Sequence, residues 1–183
     1  ISTIAIQNSI LHLQPWDTGN KSEKLKLQQF NLSQESLKPY FPAPKILQGL
    51  FSIVNRLYGI NIVEREAPVW HPDARYFELE DQGNVVGGFY LDLYARGGKR
   101  GGAWMSGFRS RMQTRQGLQK PICYMVCNFT HAVGDQPALL THDEVNTLFH
   151  EFGHGLHHLL TEVDHIAVAG THGVDWDAVE LPS

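Results

Sequence analysis

Hydrophobic and polar positions change period twice along this chain, from helical to alternating and back. Asp17–Phe30 is polar and rich in Lys and Gln, with Leu25, Leu27 and Phe30 on the side expected to be buried. Ser33 and Ser36 stand where they cap a short segment leading to Tyr40, and Pro42 and Pro44 are expected to break it. Residues 45–58 keep Ile46, Leu50, Ile53, Val54 and Leu57 at helical spacing, with Gly59 at the C-terminal stop. Residues 17–60 carry no chemical motif and read as a helical scaffold.

From 61 to 130 the period falls to two. Residues 61–66, 75–80, 85–95 and 122–129 read as strands, and Asp81-Gln82-Gly83-Asn84 as the turn joining the second to the third. Leu91, Leu93 and Ala95 alternate with Asp92 and Tyr94, as expected when one face is covered and the other wet. Residues 96–120 interrupt this pattern. They hold Arg96, Lys99, Arg100, Arg109, Arg111, Arg115 and Lys120, no acidic residue, and glycines at 97, 98, 101 and 102, which predicts a basic, glycine-rich loop.

The helical period returns at 141–161. Val145, Leu148, Phe149, Phe152, Leu156, Leu159 and Leu160 form one stripe, and Thr141 with Glu144 carries a capping-box signature for the helix start. Gly170 and Gly173 then mark a loop, and 175–183 is expected to begin another helix. The predicted class is α+β: mainly helical, with a small, mostly antiparallel sheet beside the 141–161 helix.

Composition narrows the class without changing the picture. The chain has 183 residues, 42% hydrophobic and 19% charged, as in an ordinary globular protein. A net charge of −4 argues against a general polyanion binder. No apolar run approaches the roughly 20 residues of a membrane span. Residues 1–13 lack the basic region of a signal peptide. Chain ends at Ile1 and Ser183 are expected to be cuts from something longer. Cys123 and Cys127, four apart on a strand, lie about 13 Å apart at ~3.3 Å per residue, too far for a disulfide. They read as buried or half-buried free thiols that serve as packing residues, consistent with a reducing cytosol and a cytoplasmic location.

Chemistry concentrates in His150-Glu151-Phe152-Gly153-His154, an H-E-x-x-H pattern inside the predicted helix. Residues four apart on a helix share a face, so His150 and His154 can offer two imidazole nitrogens to one ion. Glu151, rotated toward the open side, is placed to take a proton from water at that ion. A third ligand is needed, and Glu180, thirty positions after His150, follows a loop long enough to bring a carboxylate back. His158 continues the histidine row but reads as a packed residue, since three protein ligands already leave only the water position open. His12, His71, His131 and His142 carry no spacing argument.

These motifs, with Gly170-Thr171-His172 and Asp177-Ala178-Val179-Glu180-Leu181-Pro182-Ser183, resemble the thimet-oligopeptidase family of zinc metallopeptidases, in particular its bacterial oligopeptidase branch. Val69-Trp70-His71-Pro72-Asp73, Phe89-Tyr90-Leu91-Asp92-Leu93-Tyr94 and Lys99-Arg100-Gly101-Gly102-Ala103-Trp104 extend the likeness from about Leu13 to the last residue. The resemblance implies that 1–183 is part of a zinc-peptidase catalytic domain. It further implies one Zn²⁺ per chain on His150, His154 and Glu180, Glu151 as general base, and short peptides as substrates. The family's oxyanion donors, a His and Tyr residues, lie further along the chain. The remainder of the parent is therefore expected to be needed, and the 183 residues alone to have little activity. His172 gains a substrate-contacting role by the same likeness. Residues 124–129 read either as the edge strand that pairs an extended peptide or as an interior strand packed on the 141–161 helix. Two other readings stay open: a non-catalytic zinc-binding structural piece, and a nucleic-acid module built on the basic loop.

Overall fold

A computed structural model describes residue 14, residues 17–30 and residues 33–183. In chain order the elements are α1 (Asp17–Phe30), α2 (Gln34–Leu37), α3 (Ala43–Tyr58), β1 (Asn61–Arg65), β2 (Arg75–Asp81), β3 (Asn84–Tyr94), β4 (Trp104–Arg109), β5 (Met112–Thr114), β6 (Gly117–Gln119), β7 (Ile122–Phe129) and α4 (His142–Leu159). One five-stranded sheet has the order β1-β2-β3-β7-β4, and β5 with β6 forms a separate hairpin. Only the β3–β7 pairing is parallel. The class is α+β with a mixed, mostly antiparallel sheet.

The β2–β3 turn falls where the Asp81–Asn84 run predicts it. Gln82 and Gly83 both take positive φ, 47° and 82°, the pair of left-handed conformations that a two-residue hairpin requires. Residues 96–120 depart from the expected loop. They contain β4, which adds to β7, and the β5–β6 hairpin. Residues 124–126 therefore lie inside the sheet, between β3 and β4, while 127–129 run past the end of β4 and pair with β3 alone; the edge strand on that side is β4. Ser106, Gly107 and the flanking arginines give β4 little of the β-branched, alternating signature of a strand, so it forms through its partner rather than through local preference.

Helix α3 starts two residues earlier than the periodicity suggests, with Pro42 as N-cap and Pro44 in the first turn. First-turn amides have no intrahelical acceptor, so proline there removes nothing. Its buried stripe is Ala43, Leu47, Leu50 and Val54, whereas Ile53 and Leu57 are exposed. On α1, Leu25 is half-buried and Leu27 exposed. The side chain of Phe30 lies outside the described residues.

One face of the sheet carries the core. Phe89 of β3 stacks on Phe77 of β2 at 5.0 Å and meets Phe152 of α4 edge-on at 5.4 Å. Phe51 of α3 contacts all three rings, so a four-ring cluster ties both long helices to the sheet. Cys123, Met125 and Cys127 line the same face beneath α4. Burial raises both thiol pKa values, that of Cys127 to about 12, with the nearby Glu151 charge adding to the effect. Both cysteines are free and buried, as packing residues are. Among the described residues no helix is long and apolar enough to cross a membrane.

Candidate metal centre

Helix α4 is fixed at its start before it is used. Thr141 Oγ1 accepts from the Glu144 amide at 3.1 Å, and Glu144 Oε2 accepts from the Thr141 amide at 2.7 Å, closing the capping box. Leu148, Phe152 and Leu159 are buried against the sheet, and Val145, Phe149, Leu156 and Leu160 pack around them. That stripe sets the helix rotation and leaves His150 and His154 on a flank, with side chains 45% and 12% exposed. Their rings lie 4.8 Å apart, one turn above each other.

Beyond α4 the chain is fastened to the β4–β5 corner. Arg111 Nε donates to Asp164 Oδ1 at 2.6 Å, the Gln113 amide donates to the Asp164 carbonyl at 3.0 Å, and Ser110 Oγ meets His172 Nε2 at 3.0 Å. His172 is thus part of a loop tether. The stretch 175–183, expected to open a helix, is a run of four-residue turns: Ala178 N–H to Asp175 C=O, Leu181 N–H to Ala178 C=O, and Ser183 N–H to Glu180 C=O.

Those turns deliver Glu180 to the histidines. Its Oε2 lies 3.3 Å from His150 Nε2 and 3.1 Å from His154 Nε2. Among the described residues these three form the cluster of metal-binding type, with ligand atoms all within 4.8 Å of one another. At Zn–N and Zn–O lengths of about 2.0–2.2 Å, neighbouring ligands of a tetrahedral zinc lie about 3.3 Å apart, which the Glu180 separations match. Two imidazoles and a carboxylate are also the donor types that zinc takes. The Ser183 hydroxyl donates to the same Oε2 at 3.1 Å, a contact with no signal in the sequence spacing.

Glu151 sits differently from the expected open position. It is buried, 8% exposed, beside Leu148 and Gly155. At about 100° per residue, position 151 falls within the angular range of the buried stripe, next to His154. His158 is packed, as its place in the row suggests: it is 1% exposed, and its Nε2–H donates to the Arg109 carbonyl at 3.0 Å. Burial lowers its pKa, favouring the neutral ring.

A second cluster lies on the sheet face expected to be wet. Asp92, 2% exposed, accepts from Arg96 at 2.7 and 2.8 Å, from Lys99 at 2.9 Å and from the Trp70 indole at 2.9 Å. Burial opposes its ionisation, but these hydrogen bonds outweigh that and hold its carboxyl far below the ordinary range. The available signal was a lone acid in an apolar strand, followed at i+4 and i+7 by cations. With Arg111 bound to Asp164, three of the seven cations in 96–120 are committed to internal ion pairs. That leaves less positive surface for a phosphate backbone than the sequence suggests.

The chain belongs to peptidase family M3, which it matches over residues 3–183. Among its relatives, oligopeptidase A of Escherichia coli strain K12 is 57% identical over 174 residues, covering 93% of this chain and 26% of that protein. Oligopeptidase A of Haemophilus influenzae is 50% identical over 177 residues, covering 95% and 26%. Dipeptidyl carboxypeptidase of Escherichia coli is 42% identical over 173 residues, covering 93% and 25%. The chain spans about a quarter of the length of these relatives.

Proposed function

We propose that this chain forms the metal-binding part of a zinc-dependent endopeptidase acting on short peptides. One observation carries the reading: Glu180 Oε2 lies within 3.3 Å of both His150 Nε2 and His154 Nε2 at a solvent-facing flank of α4. His150, His154 and Glu180 hold one zinc per chain. When bound, the ion supplies Lewis acidity that acidifies water and polarises a carbonyl. Glu151 accepts a proton from the attacking water and returns it to the leaving amine. Its burial beside the ligand row shields that carboxylate from bulk solvent. Edge strand β4 lies against the same helix, and its outward N–H and C=O groups suit the backbone of an extended peptide.

A three-ligand cluster with His150 45% exposed suits an open catalytic site better than a closed structural one, which takes four protein ligands. The same openness lets water in, so the 183 residues alone turn over peptides slowly, and full activity belongs to a protein of the relatives' length. Two unpaired buried cysteines accord with a cytoplasmic setting.

Glu151→Gln tests the reading. In a chain of the relatives' length it keeps zinc and lowers kcat by about 10²–10⁴-fold. Unchanged kcat would contradict the role given to Glu151.

A further inference from the structure

Gly153 is the fourth residue of His-Glu-Phe-Gly-His, and its α-carbon faces the segment that carries Glu180. A Cβ placed on it would lie 2.6 Å from Ser183 Cα and 3.0 Å from the Pro182 carbonyl carbon, and closer still to the Pro182 carbonyl oxygen. These neighbours are backbone atoms, so no flexible side chain can swing aside to make room. The contact lies next to the ligand: Ser183 N–H donates to the Glu180 carbonyl at 3.3 Å, and Ser183 Oγ reaches the same carbonyl at 2.9 Å. The same hydroxyl proton is shared with Glu180 Oε2 at 3.1 Å, the oxygen that faces both histidines. Glu180, the turn and Ser183 form one hydrogen-bonded unit, and that unit rests on the helix at Gly153.

We propose that Gly153 is a positioning residue for the third metal ligand. The missing side chain lets the Pro182–Ser183 backbone seat against α4, and the seated Ser183 hydroxyl aims Glu180 Oε2 at His150 and His154. Any side chain at 153 pushes the turn outward and carries the carboxylate away from the two imidazoles. Glycine is otherwise a poor choice in mid-helix, where alanine is preferred by propensity. The geometry gives the reason for keeping it. This inference rests on the metal-site reading above.

The test is zinc affinity by chelator competition in a chain of the relatives' length, with the melting temperature of the metal-free protein measured alongside. Gly153→Ala is expected to weaken zinc binding by about 10–100-fold, the range seen when a residue that orients a metal ligand is lost. The metal-free melting temperature stays level or rises, because alanine favours the helix. Ser183→Ala, which leaves α4 untouched, weakens zinc binding in the same direction and serves if Gly153→Ala fails to fold. Both effects vanish in a Glu180→Ala background, since both act through that carboxylate. Wild-type affinity in both variants, or an undiminished loss in the Glu180→Ala background, overturns the proposal. A wild-type protein that binds no zinc, or binds it unchanged after Glu180→Ala, overturns the metal-site reading itself.

Discussion

Asp92 and Glu180 each gather three side chains around one carboxylate, in opposite surroundings. Asp92 is 2% exposed and meets two fixed cations and an indole N–H, every one a donor. Glu180 is 65% exposed and meets two imidazole nitrogens and one hydroxyl. In the first cluster charge is matched within the protein and no valence is left for a ligand. In the second, two imidazole nitrogens converge with a carboxylate oxygen at a solvent-facing flank, donor types that a cation takes. Burial and partner type, more than the carboxylate itself, separate a structural hub from a site that can do chemistry.

Substitutions at the two carboxylates should therefore separate cleanly. The largest stability effect belongs to Asp92→Ala, which strands Lys99, 5% exposed, without its partner. Breaking a buried pair from one side costs about 3–5 kcal/mol, read by denaturant unfolding, with zinc content unchanged. The hub is also pH-dependent. Its carboxyl is depressed in the fold, so its stabilisation is complete above the ordinary value of about 3.9 and drains away as pH falls below it. Asp92→Asn should flatten that acid limb.

Thr141→Ala gives the smallest effect, since it opens the capping box on the helix that bears the histidines. It should cost about 1 kcal/mol in unfolding and leave the histidine spacing intact. A drop in zinc affinity with Thr141→Ala as large as that from Gly153→Ala would show that helix stability, and not the seating of the Glu180 turn, controls the site.

Much of this was legible in the chain, and what was not shares one cause. Thr141, Glu144 and the apolar stripe define α4 locally, and Asp81–Asn84 defines its turn, because both are written in adjacent residues. Strand β4 was not, since its pairing to β7 crosses the hairpin between them. The exposure of Ile53 and Leu57, the inward Glu151 and the interior place of β7 likewise depend on what packs against each element. His150 and His154 follow from helical spacing. Glu180 was named as a ligand from its distance along the chain and the family likeness, while the contacts that bring it home, from Gly153, Ser183, Asp164 and His172, are long-range or turn-specific. Asp92 carries a local pattern, a single acid ahead of seven cations, but its burial depends on Trp70, 22 residues earlier in the chain.

In the proposed site His150, His154 and Glu180 act as one ligand set. Zinc content by elemental analysis, compared between the wild-type chain and Glu180→Ala after dialysis, addresses it most directly. About one zinc per chain in the wild type and a clear loss in the variant is the predicted result. Equal zinc in both proteins would contradict it, placing the metal on ligands other than Glu180.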